Sequence, residues 1–203
     1  MSTEMKRLAN RSLYLKKKSS PGKSAEIPSE IVFHTPWFSV EKIPSRAEWG
    51  MGKKPFYQIS GPDSVSVLPL TASDQIVLVR QYRPARGRFT LELPTGYIDH
   101  DETPEDAAKR ELQEECGYVG SDYFFLGKWG YNLNRESKSH HCYVALDARR
   151  QPDITVHEKI DVVLCAARDF IHLALSEDFE DLTVLGIVAL AQAHLGVRIP
   201  RFY

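Results

Sequence analysis

The sequence predicts an α/β protein, in which a mixed β-sheet lies between helices in an α/β/α sandwich and a small antiparallel β-subdomain precedes it. Short segments rich in β-branched and aromatic residues recur from about residue 31 to residue 164. Residues 104–116, which lie between these segments, and the apolar residues 182–195, which follow them, have helical spacing instead. Because one helix interrupts the strands and others follow them, we expect helices on both sides of the sheet.

The first 29 residues are predicted to form a basic N-terminal extension. Residues 1–26 contain seven lysines and arginines against Glu4 and Glu26. We expect this segment to be solvated, because Glu4 and the compact lysine run at 16–18 suit a targeting helix poorly. An organelle transit peptide and an anion-binding arm are the alternatives.

Residues 30–62 are predicted to form the N-terminal β-subdomain, because prolines punctuate strand-like segments at 31–33, 38–41 and 56–59. Residues 63–203 are predicted to form the main domain. Its strands are expected at 64–68, 75–79, 88–93, 123–128, 141–146 and 161–164, and its helices at 104–116, 169–177 and 182–195.

The composition excludes several classes of protein. A net charge of -1 predicts no general affinity for nucleic acid or for an anionic membrane. No apolar run approaches the roughly 20 residues that span a bilayer. The three cysteines are widely spaced in apolar or helical segments, so we expect reduced thiols and a cytoplasmic protein.

The most informative pattern lies between residues 96 and 118. Thr103 is suited to cap a helix, Pro104 to begin it and Gly117 to end it. Three glutamates within that helix are spaced i, i+3 and i+4, so we expect them on one face; they are Glu111, Glu114 and Glu115. Like charges at this spacing repel, and a hard cation such as Mg²⁺ with phosphate oxygens would remove the repulsion. The ordinary alternative is a solvated acidic helix face.

The fixed positions of this pattern match the signature of the Nudix hydrolases. They are Gly96, Glu102, Arg110, Glu111, Glu114, Glu115 and Gly117, whereas Tyr118 stands where the family usually has an aliphatic residue. Together with residues 77–84 and 91–96, the pattern resembles the ADP-sugar pyrophosphatase branch. The resemblance implies the Nudix fold, a homodimer that shares its N-terminal β-subdomain, and Mg²⁺-dependent cleavage of nucleoside diphosphate sugars, in which Mn²⁺ can substitute.

The resemblance also implies roles for individual residues. It places the metal on the main-chain carbonyl of Thr95 and on Glu111 and Glu115, with Glu114 as a further ligand or in the shell behind it. Glu114 and Glu115 thereby become candidate catalytic residues. A guanidinium always carries charge and bonds two oxygens at once, and Arg83 is expected beside the substrate's phosphate or sugar, with Glu92 lining the pocket. The alternative for Arg83 is a surface ion pair.

Three further expectations come from the same resemblance. Glu158 matches a loop carboxylate that positions or deprotonates the attacking water; its alternative is an ion pair with Lys159. Trp37 matches a residue that stacks on the nucleobase; its alternative is a core or dimer-interface tryptophan. Residues 130–137 replace a proline-rich loop of ADP-ribose-selective members, so Asn132 and Asn134 are expected to influence the choice of sugar.

The expected activity is therefore hydrolysis of a nucleoside diphosphate sugar, ADP-ribose or another, to a nucleoside monophosphate and a sugar phosphate. One alternative is hydrolysis of nucleoside triphosphates or dinucleoside polyphosphates. Another is a non-catalytic nucleotide-sugar sensor, which is disfavoured because all the glutamates are present.

Overall fold

A computed structural model describes residues 28–45, 50, 52–156, 159–177 and 179–195. The chain begins there with a three-stranded antiparallel sheet in the order β1-β2-β3. Its strands are β1 (Glu30–His34), β2 (Ser39–Ile43) and β3 (Phe56–Ser60). The predicted N-terminal antiparallel sheet is confirmed, whereas all but the last two residues of the predicted 1–29 extension lie outside the described residues.

The main domain contains two larger sheets and one small pair. The strands are β4 (Ser64–Pro69), β5 (Gln75–Arg83), β6 (Arg88–Glu92), β7 (Thr95–Tyr97), β8 (Tyr118–Val119), β9 (Asp122–Trp129), β10 (His140–Leu146), β11 (Arg149–Arg150) and β12 (Asp161–Ala166). One sheet has the order β7-β4-β10-β9 and is mixed, because β4 and β10 run parallel while its other pairs are antiparallel. The second has the order β12-β5-β6, and β8 pairs with β11.

Helices cover both sides of these sheets. They are α1 (Pro104–Cys116), the short α2 (Phe170–Ala174) and α3 (Leu182–Leu195). Val65, Val67 and Val77 pack with α1, whereas Leu68 and Ile76, of opposite parity on the same strands, pack with α3. This alternation is what period-two strands produce when both faces are buried. The predicted α/β/α arrangement is therefore confirmed.

The ends of α1 follow from its sequence. The side chain of Thr103 accepts a hydrogen bond from the Asp106 backbone N–H at 3.1 Å, and Pro104 begins the helix. Gly117 ends it in the left-handed conformation, with a φ of 68° and its N–H bonded to the Gln113 carbonyl at 2.8 Å. The helix start at Thr103 and the helix end at Gly117, both predicted from the sequence, are confirmed. They set the limits of the helix that carries the three glutamates.

Some elements differ from the prediction. The helix expected over 169–177 is wrong in length, because α2 ends at Ala174. Asp169 gives α2 no side-chain cap, and Ser176 donates its hydroxyl to the Leu173 carbonyl at 2.7 Å beyond its end. The strand β7 was also not predicted, since three residues around a glycine carry no alternating pattern. Within the described residues, no helix is both long and apolar enough to cross a membrane.

The N-terminal sheet is joined to the main domain through the loop that follows β9. The N–H of Ile59 donates to the Arg135 carbonyl at 2.7 Å, and the N–H of Ser137 donates to the Ile59 carbonyl at 3.1 Å. The guanidinium of Arg135 also lies over the Phe56 ring, 4.9 Å from its centroid, which is within the roughly 6 Å reach of a cation–π contact. The loop that was predicted to influence substrate choice therefore also fixes the position of this sheet.

Replacement by alanine should lower the stability of the protein at Gly117, which ends α1, and raise it at Gly186, which lies within α3. Gly117→Ala is expected to lower the free energy of unfolding by about 1–2 kcal/mol, because a Cβ strains the left-handed conformation and would approach Val156 Cγ2 to 3.1 Å. Gly186→Ala in α3 meets nothing within 4 Å and should stabilise by about 0.5–1 kcal/mol. Thermal unfolding measures both. A rise in Tm for Gly117→Ala would contradict the assigned helix end.

Candidate active site

Two glutamates of α1 lie buried against the backbone of β7. Glu111 is 8% exposed and Glu115 is 9% exposed. A Cβ atom added at Gly96 would fall directly on the Glu111 carboxylate, so only glycine permits this approach. The Thr95 N–H donates to Glu115 Oε2 at 2.9 Å. The Gly96 position of the sequence pattern is thereby explained by contact with a carboxylate rather than by a flexible turn.

Arg110 holds the acidic residues together. Its Nε and Nη2 donate to the two oxygens of Glu102, each at 2.9 Å, and Nη1 donates to Glu111 Oε1 at 2.6 Å. A further bond from Nη1 reaches Glu114 Oε2 at 3.2 Å, and Nη2 also donates to the Tyr97 carbonyl. These partners raise the pKa of Arg110, and the pKa of Glu102 is lowered in return. One guanidinium thus orients two glutamates of α1 and anchors them to the preceding loop.

The raised pKa values of Glu111 and Glu115 favour a bound cation. Burial raises the pKa of Glu115 to about 7, with the neighbouring Glu111 adding to the rise and the Thr95 hydrogen bond opposing it. Burial also raises the pKa of Glu111, although Arg110 opposes that rise. Both carboxylates are therefore costly to keep charged within the protein alone. A cation placed between them would restore their charged forms.

A cavity of about 510 Å³, which we call the acidic pocket, opens beside these glutamates. It is lined by Gln81, Tyr82, Pro84, Glu111, Glu114, Glu115, Lys159 and Ile160. Glu114 differs from its two neighbours because its side chain is about half exposed at the pocket rim. The side-chain nitrogen of Gln81 is buried here with no hydrogen-bond partner. An unpaired amide donor is costly in a folded protein, and a phosphate oxygen in the pocket would pair it.

Arg83 and Glu92 form an ion pair beside the acidic pocket. Arg83 donates through Nε and Nη2 to the two Glu92 oxygens at 2.8 Å and 2.5 Å, and Glu92 is also bonded by the Thr90 hydroxyl. Arg83 and Glu92, two of the residues predicted to contact substrate, line a cavity of about 440 Å³, the arginine pocket, together with Arg86, Thr90, Glu180 and Asp181. Arg83 lies next to the acidic pocket, because its chain neighbours Tyr82 and Pro84 line that pocket, and Arg83 and Glu92 act electrostatically on Glu115.

The donor set suits a magnesium ion that arrives with a diphosphate. Among the described residues, no three acidic, histidine or cysteine side chains already form a closed metal cage. Glu111 instead bonds Arg110, and Glu115 bonds the Thr95 N–H. Mg²⁺ is usually held by one or two carboxylates plus phosphate oxygens and water, not by an all-protein cage. Two buried carboxylates with raised pKa values next to an open pocket fit that pattern.

Three other residues predicted to contribute to the site, Trp37, Asn132 and Asn134, line neither of these pockets. Trp37 is 65% exposed at the turn after β1 and lines neither pocket. Asn132 and Asn134 are exposed on the loop after β9, where the Asn132 side chain accepts the Asn134 N–H at 3.3 Å. Glu158, the predicted catalytic carboxylate, lies outside the described residues. Lys159, its neighbour, lines the acidic pocket.

The structure also brings together polar residues that the sequence did not connect. His140 Nδ1 lies 2.8 Å from the Ser64 hydroxyl and 2.6 Å from the Tyr131 hydroxyl. Ser66, two residues further along β4, bonds the Thr95 hydroxyl at 2.5 Å. No sequence pattern links these positions, because the Ser64–His140 contact depends on the parallel pairing of β4 with β10, and the Ser66–Thr95 contact depends on the antiparallel pairing of β4 with β7. The next residue of β10, His141, instead approaches Asp63, with its Nε2 3.2 Å from Asp63 Oδ2.

Comparisons with known proteins agree with this geometry. The ADP-sugar pyrophosphatase of Mus musculus is 36% identical over 112 residues, covering 50% of this chain and 51% of that protein. The ADP compounds hydrolase NudE of Escherichia coli (strain K12) is 30% identical over 121 residues, covering 58% and 63%. The chain thus spans roughly half the length of these relatives or somewhat more.

A solved structure and a family model complete the comparison. The crystal structure of an ADP compounds hydrolase matches with a TM-score of 0.71 at 23% identity, covering 86% of this chain and 97% of that chain. That likeness shows a shared fold. The model of the NUDIX domain matches residues 61–182, which include the acidic pocket and α1. With more than half of its length matched, the chain belongs to the NUDIX domain family.

Proposed function

We propose that this protein hydrolyses the diphosphate of nucleoside diphosphate sugars with the help of Mg²⁺, for which Mn²⁺ can substitute. The products are a nucleoside monophosphate and a sugar phosphate. The observation that carries the proposal is the burial of Glu111 and Glu115 against Gly96, beside a pocket open to a diphosphate. Relatives named ADP-sugar pyrophosphatase and ADP-ribose pyrophosphatase support the same substrate class.

The chain's own residues supply the binding site for the metal and the diphosphate. Glu111 and Glu115 would hold Mg²⁺, with Glu114 at the rim and the Thr95 carbonyl as the predicted further ligands. Bound there, the metal would neutralise charge that develops on the phosphate oxygens. Arg110 keeps Glu111 in place through a bond of 2.6 Å and leaves its own charge compensated by Glu102. The site is therefore largely arranged before substrate arrives, which is the condition for electrostatic catalysis.

The reaction itself is a displacement at phosphorus. Water attacks one phosphorus, the bond from that phosphorus to the bridging oxygen breaks, and the bridging oxygen leaves with the second phosphate. The Gln81 amide and the Lys159 ammonium line the same pocket and are placed to bind the phosphate oxygens. Glu158 stays the predicted residue for positioning or deprotonating the attacking water.

The metal assignment is tested by removing one charge at a time. Glu111→Gln and Glu115→Gln should each lower kcat by at least about a hundredfold, in line with the loss of a main electrostatic contributor at the reacting phosphate. Glu105→Gln is the matched control, because Glu105 is on the first turn of the same helix and pairs with Lys109 at 2.7 Å. Steady-state hydrolysis of ADP-ribose with Mg²⁺ measures the effect. Near-normal turnover in both site variants would overturn the assignment.

We also propose that two copies of the chain associate through the N-terminal sheet. Six large apolar side chains of this sheet and its first turn are exposed on the single chain, with exposures from 38% for Phe38 to 65% for Trp37; the others are Ile31, Val32, Phe33 and Tyr57. So many exposed apolar side chains on a small sheet favour association. Residues of β1 and of the turn that follows it supply most of these side chains. In a homodimer Trp37 would be covered, and the partner copy could bring it to a substrate.

A single charge in this surface should separate the copies. Phe33→Glu is expected to convert a dimer to a monomer at micromolar concentration, because a carboxylate would be buried in an apolar interface without a partner. Leu175→Glu is the matched control, since Leu175 is an exposed apolar residue of the main domain, at 76% against 55% for Phe33. Light scattering coupled to size exclusion measures the mass. A wild-type monomer, or a dimer unchanged by Phe33→Glu, would contradict the proposal.

Substrate selectivity is expected to be broad. Arg83 adjoins the acidic pocket and would contact the diphosphate that all these substrates share, so Arg83→Ala should lower kcat/KM for every nucleoside diphosphate sugar by a similar factor. Arg83→Ala also leaves the buried Glu92 carboxylate without its ion-pair partner. The double variant Arg83→Ala/Glu92→Gln therefore serves as the control for stability. Changes at Asn132 or Asn134 should instead alter the ranking among sugars.

A panel of nucleoside diphosphate sugars and nucleoside triphosphates measures this selectivity. A preference for ADP-ribose of more than about a thousandfold, roughly 4 kcal/mol, would show that the 130–137 loop does not relax sugar choice. Preferential hydrolysis of nucleoside triphosphates would overturn the proposed substrate class.

A further inference from the structure

Thr95 is the residue at which the backbone of β7 meets the glutamates of α1. Its N–H donates to Glu115 Oε2 at 2.9 Å, and its carbonyl is the predicted further ligand of the metal. The strand β7 is at the edge of the mixed sheet, and β4 is its neighbour there. The position of Thr95 relative to β4 therefore determines where both of these backbone groups lie.

Thr95 belongs to a non-hydrogen-bonded pair of the antiparallel strands β4 and β7. Ser66 stands opposite Thr95, and the next residue of β4, Val67, donates its N–H to the Pro94 carbonyl at 3.1 Å. Hydrogen-bonded and non-hydrogen-bonded pairs alternate along an antiparallel ladder. Because the pair at Val67 is hydrogen-bonded, the pair of Ser66 with Thr95 is not. The Thr95 N–H and carbonyl consequently both point away from β4, towards the free edge of the sheet.

The Ser66 hydroxyl supplies the connection to β4 that the backbone of Thr95 does not make. Ser66 Oγ lies 2.5 Å from Thr95 Oγ1, as expected for a non-hydrogen-bonded pair, in which side chains approach closely. The Thr95 hydroxyl donates its hydrogen to the Leu93 carbonyl at 2.8 Å, so the Ser66 hydroxyl is the donor in this contact. Ser66 is 4% exposed, so water has little access to the bond.

Glu115 depends on where this contact holds Thr95. The Glu115 carboxylate is buried and accepts the Thr95 N–H. A buried acceptor whose donor moves away loses a hydrogen bond and the orientation that the bond imposes. A chain of two hydrogen bonds therefore leads from Ser66, inside the sheet, through Thr95 to a glutamate of the candidate metal site.

We propose that Ser66 is a positioning residue of the metal site. Its hydroxyl fixes Thr95 against β4, so that the Thr95 N–H is directed at Glu115 and the Thr95 carbonyl at a bound metal ion. Ser66 lines neither the acidic pocket nor the arginine pocket, so it acts through Thr95. The proposal rests on the proposed function, because it concerns the site at which Mg²⁺ would act.

Ser64 offers a matched control for Ser66. It lies two residues earlier on β4, which places both side chains on one face of the strand, and its hydroxyl is 2.8 Å from His140 Nδ1. Burial raises the pKa of Tyr131, and hydrogen bonds with Ser64 and Ser66 oppose that rise, so both serines also contact the Tyr131 hydroxyl. Of the two, Ser66 is the one that bonds Thr95. Ser64→Ala therefore removes a similarly buried hydroxyl without altering the contact at Thr95.

The first measurement is the affinity for Mn²⁺ without substrate, by electron paramagnetic resonance. Ser66→Ala should weaken it about tenfold, the scale seen when a group that orients a metal ligand is removed, whereas Ser64→Ala should change it by less than about twofold. Glu115→Gln locates the ion, because it should weaken Mn²⁺ binding further. Equal affinities in Ser66→Ala and Ser64→Ala, or an affinity that Glu115→Gln leaves unchanged, would overturn the proposal.

Thermal unfolding verifies that each variant is folded. If Ser66→Ala does not fold, Ser66→Cys takes its place, because a thiol keeps the shape of the side chain and is a weaker hydrogen-bond donor. Ser66→Cys should then bind Mn²⁺ less tightly than Ser64→Ala does. An affinity equal to that of Ser64→Ala would count against the positioning role.

A double-mutant cycle tests whether Ser66 acts through Thr95. Thr95→Val removes the hydroxyl that Ser66 bonds and keeps a β-branched side chain suited to a strand. In the Thr95→Val background, Ser66→Ala should weaken Mn²⁺ binding by less than about a further twofold, because the contact is already absent. Losses that multiply in the double variant would show that the two residues act independently, which contradicts the proposal.

Turnover separates the positioning role from general damage. With a nucleoside diphosphate sugar as substrate, Ser66→Ala should raise the Mg²⁺ concentration for half-maximal rate about tenfold. The KM for that substrate at saturating Mg²⁺ should stay within about twofold of the wild type. A fall in kcat with an unchanged Mg²⁺ requirement would overturn the positioning role while the proposed function stands. If Ser66→Ala weakens Mn²⁺ binding but the wild type hydrolyses no such substrate, the proposed function fails and the positioning role stands.

Discussion

The site depends on the close approach of the Glu111 carboxylate to the backbone at Gly96. A side chain at residue 96 would occupy the position of that carboxylate, and Arg110 holds the carboxylate there from the opposite direction. The same arginine bonds Glu102 and the Tyr97 carbonyl, so β7, the following loop and α1 are locked to one another. The Glu111 carboxylate is thereby held in position to bind a cation. Without a cation, keeping this buried carboxylate charged costs free energy.

The fold arranges the rest of the site around this contact. The mixed sheet separates α1 from α3, yet the polar residues of β4 and β7 connect the two sides through Ser66 and Thr95. The acidic pocket lies at α1, and the arginine pocket lies at Arg83.

Much of the fold and of the candidate site could be predicted because the signals are local. Thr103 and Gly117 cap a helix by contacts within a few residues, and the period of the strands fixes their two faces. The pairing of Arg83 with Glu92 and the contact of Tyr131 with His140 could not be predicted, since each joins strands or loops whose register only the folded chain sets. The length of α2 and the presence of β7 could not be predicted either, because both depend on hydrogen bonds that involve residues outside these elements.

The most direct test of the central contact is metal binding by Gly96→Ala, measured with Mn²⁺ by electron paramagnetic resonance. All three glutamates remain in this variant, so a loss of metal would come from displacement of the Glu111 carboxylate or of the adjoining backbone at Thr95. The account predicts an affinity for Mn²⁺ at least about tenfold weaker than in the wild type, the scale seen when a group that orients a metal ligand is removed, while α1 stays folded by circular dichroism. Unchanged Mn²⁺ binding in Gly96→Ala would contradict it.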